Sequence, residues 1–408
     1  MSDLTDEIVR LNKPDFYHGD TGPIYSQLRD KAPVFWYETG GFWLLTKYED
    51  IKHVSQSPDL FSSASGMLIT DVLHKSDVLE QMFIEGVDPF VTADPPRHTE
   101  LRKLITFAFA RSRIMGMSDQ ISEIINEHVD RIVSNTKIDV VSDLSIPIPI
   151  RVIQLFLGLD DLSIEKTLQW SDDVFEMGTD LTKEEYAEIA GRLGEMFAYF
   201  NEQIEIRKKE PRDDVITKLL ESELDNKILS NAMAVMYLQT VMVAGNETTR
   251  NLFSVGIRLF ADYPDQYKRL QNDPSLFKSA CEEILRFGGP VIGFMRTATR
   301  DTEIRGVKIK KGDHVYMLYG AANRDPDIFD DPETFDIARF RKPFPGHLAF
   351  GFAQHVCMGS ALARLEMVTL LEKLTTKFSR FELCGTPGRP NSLIGQGYTS
   401  LPIKFHTH

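Results

Sequence analysis

The chain has 408 residues, 42% hydrophobic and 26% charged, which is ordinary for a globular protein and ample for a large core. Its net charge of -14 argues against non-specific binding to nucleic acid or to an anionic membrane surface. Three cysteines with no CxxC pair or Cys/His spacing argue against a disulfide framework or a four-ligand zinc site, so a cysteine with a chemical role acts alone.

The N-terminal MSDLTDEIVR is acidic where a signal peptide would be basic and then apolar. No stretch reaches the roughly 20 apolar residues of a membrane span. The longest, Ala232 to Gly245, is broken by Gln239 and Thr240. A cytoplasmic protein without a membrane anchor is expected. Phe35–Tyr37 and Phe42–Leu45 read as strands joined by a turn over Glu38-Thr39-Gly40-Gly41. Asp94-Pro95-Pro96-Arg97 sets a proline-defined helix start that places His98 and Arg102 four apart on one face. Two such cations are also an ordinary surface pattern.

Apolar residues three and four apart predict helices over 118–134, 185–208, 228–262, 276–287 and 360–377. Inside 228–262 lies Ala244-Gly245-Asn246-Glu247-Thr248-Thr249. A glycine and an acid–alcohol pair in a buried helix are costly unless used, although a tolerated glycine and core-facing threonines would read the same. Small residues there would let the backbone approach a ligand, and Thr248 bonding back to the preceding turn would open a groove. Inside 276–287, Glu283 and Arg286 make an i,i+3 pair of a kind usually worth roughly a few tenths of a kcal/mol on a surface.

Arg296 opens RTATRDTEI and reads as a loop arginine. Strands are expected over Thr302–Ile309, His314–Met317 and Ser400–Phe405. The Pro-rich run from Arg324 to Pro345 reads as a long ordered meander, and loops of that length are usually functional. FGFAQHVCMG (350–359) runs directly into the last helix. Cys357 therefore precedes a helix N-terminus, where the macrodipole and free N–H groups stabilise a thiolate, though a lone cysteine there is more often a small buried hydrophobe. Gly351 and Gly359 permit tight turns against a flat partner. Cys281 and Cys384 lack any such context.

Phe350, Gly351, His355, Cys357 and Gly359 resemble the haem-binding loop of the cytochrome P450 family, Phe-Gly-x-Gly-x-His/Arg-x-Cys-x-Gly, with Ala353 standing where the family usually has glycine. Residues 244–249 resemble its oxygen-binding motif, Glu283-x-x-Arg286 its Glu-x-x-Arg motif, and Arg339 the arginine expected downstream. His98-x-x-x-Arg102 and Arg296 resemble its propionate contacts. These motifs span nearly the whole chain in the family's order. The resemblance implies a mainly α fold with small peripheral β-sheets, the triangular P450 prism, as one domain over 1–408. It implies heme b (iron protoporphyrin IX) on an iron-ligating Cys357, bordered by Ala244, Phe350 and Gly359, with propionates held by His98, Arg102, Arg296 and His355.

On the same resemblance, Glu247 and Thr248 guide protons to oxygen, and Glu283, Arg286 and Arg339 form a buried structural cluster. Thr240, Val243, Ala244, Ile292, Phe294, Tyr398 and the Phe83–Val91 loop line an apolar substrate pocket. The expected activity is monooxygenation of a hydrophobic small molecule by a monomer fed by ferredoxin and ferredoxin reductase. The donor would dock on the cysteine side beside Lys103, Arg111, Arg113 and Arg364, if these are more than scattered solvated charges. AGNETTRN and GYTSLPIKF resemble members that hydroxylate steroid side chains, terpenoids or alkyl chains; a macrolide-like or sugar-derived substrate is the alternative. A peroxide-driven enzyme or a non-catalytic haem sensor would have little need of Glu247 and Thr248.

Overall fold

The computed structural model describes residues 4–74, 87, 89–133, 136–176, 181–342 and 345–408. Its organising element is the helix Asn231–Asp262, hereafter the central helix, about 48 Å long at 1.5 Å per residue. Ser230 caps it, its Oγ accepting from the Met233 N–H at 3.2 Å. Met236, Tyr237, Leu238, Val241 and Met242 are all buried. A helix apolar on nearly every face must run through a core, and this one is flanked by helices Pro147–Leu157, Ile164–Glu176, Lys183–Lys209 and Phe277–Gly288. Gly256 lets the helix Ser360–Lys377 come close: a Cβ there would collide with Met367 Cε. Among the described residues no helix is long and apolar enough to cross a membrane.

The strands, in chain order, are β1 Val34–Tyr37, β2 Phe42–Leu45, β3 Phe61–Ser62, β4 Lys137–Asp139, β5 Glu223–Leu224, β6 Lys227–Ile228, β7 Gly293–Ala298, β8 Thr302–Ile304, β9 Val307–Ile309, β10 His314–Leu318, β11 Phe378–Leu383 and β12 Pro402–Thr407. One sheet has the order β1-β2-β10-β7-β3, and a second the order β11-β12-β4. The fold is thus mainly α with small peripheral sheets. Two expectations change. Thr302–Ile309 is not one strand but a hairpin, because Arg305 and Gly306 take φ of 50° and 80°, the paired left-handed turn that reverses a chain tightly. Residues 293–298 form β7, which lacks alternation because it is an interior strand between β10 and β3. That register sets Arg296 opposite Val315.

The meander is held by Glu283, which is wholly buried. Arg286 Nε and Nη2 donate to its two oxygens at 2.7 and 2.8 Å, and Arg339 Nε donates at 3.1 Å. The Asp336 N–H donates at 2.9 Å. Arg286 spends its remaining donors on the carbonyls of Asn323, Pro332 and Thr334. One carboxylate thus closes a network that crosses about fifty residues of chain, with every strong donor used. Removing one partner of such a buried pair strands the others' charge. Glu283→Ala is expected to cost about 3–5 kcal/mol, or to prevent folding. An unchanged urea midpoint would contradict this reading.

Candidate functional site

The loop before the helix Ser360–Lys377 folds back on itself, the Cys357 N–H donating to Phe350 O at 2.8 Å. Gly351 and Ala353 both take left-handed backbone conformations, φ 71° and 57°. That explains why glycine suits position 353 and what the alanine costs here, about 1 kcal/mol of Cβ strain. The N–H groups of Gly359 and Ser360 point at the sulfur. Burial pushes the Cys357 thiol up, while those N–H groups, Arg102 and Arg364 pull it down. The residue is nevertheless exposed rather than packed into the core.

Glu282 ties the two ends of this loop together. It accepts from His347 Nε2 at 3.1 Å and from Arg364 Nε and Nη2 at 2.6 and 2.9 Å. Burial would raise this carboxyl, but those hydrogen bonds hold it down to about 2. Arg364 also lies over the Phe350 ring, 4.5 Å from its centroid. Arg364 is therefore committed to the loop, whereas Lys103 and Arg111 stay exposed and Arg113 is half-buried.

Four cationic or basic side chains from three separate segments converge beside the loop. His98 and His355 stack with centroids 4.1 Å apart, and Arg102 Nη2 donates to Val356 O at 2.6 Å. His355 Nε2 bonds Ser63 Oγ at 3.1 Å. Arg296 is buried on β7, and among the described residues it donates to its neighbour Met295 O alone. Burial, Arg296, His98 and Arg102 together push His355 down to about 3. His98 is lowered too, by burial and then Arg102. Among the described residues neither ring nitrogen of His98 has a hydrogen-bond partner, and Arg296 forms no ion pair. Asp94, the acid acting on both, already accepts from Ser62 and the Ser63 N–H. So much buried positive potential with so little compensating charge fits a ligand that brings carboxylates. The two propionates of haem meet that description.

On the central helix, Ala244 is accessible although Met242 and Val243 just before it are buried. Thr248 Oγ1 donates back to Ala244 O at 2.7 Å. Glu247, largely enclosed, is raised by burial against the pull of Arg250, and Asn251 hydrogen-bonds its carboxyl. Gly245 serves packing instead of ligand approach: a Cβ there would meet Ile153 Cδ1 at 2.7 Å. Thr240 is half-buried and Val243 buried on the same helix.

The other pocket positions scatter. Ile292 packs into the N-terminal core with Tyr316 and Leu318. Phe294 sits edge-on to Tyr319 at 6.1 Å. Tyr398 lies under Arg389, 4.1 Å away, lining a separate cleft of about 160 Å³ with Val255 and Gly288. In the Phe83–Val91 loop, residues 83–86 and 88 lie outside the described residues. Sequence reasoning missed Ser63, Asp94 and Asn251. Only Asn251, four residues after Glu247, carried a signal, as an i,i+4 pair.

A family model for cytochrome P450 matches residues 160–406. Linalool 8-monooxygenase of Pseudomonas putida is 33% identical, over 96% of this chain and 98% of its own. Steroid C26-monooxygenase of Rhodococcus jostii is 32% identical, over 94% and 81%. The crystal structure of CYP108D1 from Novosphingobium aromaticivorans superposes with a TM-score of 0.86 at 28% identity, covering 100% of both chains.

Two measurements test this geometry. Ala353→Gly should raise the urea midpoint by the equivalent of about 1 kcal/mol, by relieving the left-handed alanine. A lowered midpoint would show that the methyl is needed for packing. In cofactor-free protein, His98 binds its proton less readily folded than unfolded, below the ordinary 6.5. Its stabilisation is therefore complete above that pH and is lost as the pH falls through it. His98→Asn should flatten the acid side of a thermal-unfolding series; an unchanged slope would count against the cluster.

Proposed function

Because the chain belongs to the cytochrome P450 family and is a monooxygenase that binds haem through a cysteine thiolate, we propose that Cys357 is the ligating sulfur and that Glu247 and Thr248 deliver protons for oxygenation of a hydrophobic small molecule. The whole of residues 1–408 acts as one catalytic unit in this reading. Haem so ligated supplies dioxygen activation, thiolate donation favouring O–O cleavage.

The protein's part is placement. Gly359 and Ser360 N–H groups and the nearby Arg102 stabilise the sulfur's negative charge. His98, Arg102, Arg296 and His355 offer donors and charge to two carboxylates. Phe350, Gly359 and Ala244 leave room for a flat ring. The observation that carries catalysis, as opposed to mere haem carriage, is Thr248 donating to Ala244 O beside the enclosed Glu247. That bond holds the hydroxyl along the helix and loosens the local backbone, while burial makes the acid hold its proton more tightly than an exposed carboxyl does.

Thr240 and Val243, on the central helix just before Ala244, border the substrate pocket in this reading, which favours terpenoid, steroid or alkyl substrates. Relatives named for linalool, for steroid C26 and for methyl-branched lipid hydroxylation support that choice. Electrons come from a separate ferredoxin and its reductase. Exposed Lys103 and Arg111 near the cysteine side favour an acidic donor.

Supplied with NADH, ferredoxin, ferredoxin reductase and a terpenoid, steroid and fatty-acid panel, the enzyme should give an oxygenated product. The active substrate should also shift the Soret band from low to high spin. Product from hydrogen peroxide alone would replace this reading with a peroxygenase. Cys357→His should abolish the thiolate-type carbon monoxide spectrum; its survival would remove Cys357 as the ligand.

A further inference from the structure

Arg250 stands between two carboxylates. It lies one turn after Glu247 on the central helix, where an i,i+3 acid–base pair ordinarily closes. Here it does not. Arg250 Nη1 donates to Asp172 Oδ1 at 3.3 Å, on the neighbouring helix Ile164–Glu176, and Nη2 stops 3.7 Å from Glu247 Oε1, beyond hydrogen-bond range. Its Nε is buried without a hydrogen-bond partner among the described residues. The two acids differ in setting, the Glu247 side chain being 13% exposed and that of Asp172 47%. Water reaches Asp172 and little of it reaches Glu247.

We propose that Asp172 is a positioning residue for proton donation: by engaging Arg250 it holds that guanidinium just short of Glu247, so that Glu247 can keep a proton and give it up. The proposal rests on the reading of Glu247 as the proton donor. A guanidinium fully closed on a carboxylate keeps it ionised, and an ionised Glu247 has no proton to give. Held off by Asp172, Arg250 leaves Glu247 to be governed by its enclosure, and the carboxyl, still 13% exposed, regains each proton from the little water that reaches it.

The other groups around Glu247 do not substitute for this arrangement. Asn251 contributes a neutral amide. Gly395, which covers the carboxyl from the C-terminal loop, brings only backbone. The one charged residue of helix Pro147–Leu157, Arg151, is paired with Glu127. Asp173, next to Asp172, is occupied by Arg192 Nε at 2.8 Å from the helix Lys183–Lys209. That bond anchors the helix carrying Asp172, so the position of Ile164–Glu176 sets how Arg250 is shared.

The test is an infrared titration of the holoenzyme, following the protonated-carboxyl stretch that disappears in Glu247→Gln. Asp172→Asn should release Arg250 and move the Glu247 midpoint down by about one pH unit. Arg250→Gln should move it up, and Asp172→Glu should restore the wild-type value. Midpoints that stay put, or that move the same way in both Asp172→Asn and Arg250→Gln, overturn the proposal. So does a wild-type protein in which Glu247→Gln removes no such band. Product formation by Glu247→Gln tests the donor reading separately: unchanged yield there defeats that reading whatever the infrared midpoints do.

Discussion

Burying a charge is among the costliest things a fold can do, and this structure is arranged around two places where it is done. At Glu283 the debt is settled inside the protein. Two arginines and a backbone N–H surround the carboxylate, and the arginines then reach carbonyls of the meander. Asn323, whose carbonyl Arg286 binds, accepts the Leu348 N–H on its side chain at 2.6 Å. The constraint thus passes from Glu283 through the meander to the segment entering the cysteine loop. Glu282, one residue earlier, pins that loop from its other side through His347 and Arg364. Two consecutive glutamates fix where Cys357 can be.

Beside the loop the balance is left open. His98, Arg102, Arg296 and His355 push one another toward their neutral forms, or are lowered by burial alone, and the acid that acts on them is already engaged. A protein stable by itself would have little reason to keep that arrangement. A haem protein would have one, since propionates bound there would bring the missing negative charge. The same logic operates at smaller scale on the central helix, where Arg250 is shared between Asp172 and Glu247. In each place a buried or enclosed charge is incompletely matched.

Much of the helical frame was legible in the chain. The spans 276–287 and 360–377 fall within a residue of the helices found, because apolar residues recur three and four apart through both, although only the first is confined to one face. Residues 293–298 were not legible as a strand, since an interior strand need not alternate. The break at Arg305-Gly306 escaped for a different reason: a left-handed arginine is imposed by the turn and is not announced by residue type. At the site, spacing put Cys357 before a helix and Thr248 one turn after Ala244, and both relations are local. Gly245 shows the limit of local reading, its small size answering to Ile153 on another helix.

By itself, then, the sequence determined what is set within a turn or two of chain: the helices, the cysteine at a helix start, and the acid–alcohol pair. Tertiary structure alone decided what depends on distant segments meeting. It placed Ser63 and Asp94 around the histidines, sent Ile292 into the N-terminal core, and put Tyr398 under Arg389. It also stopped Arg250 at Asp172. Electrostatic and packing partners are chosen by proximity in space, and proximity between residues 78 positions apart is not written in the spacing of either one.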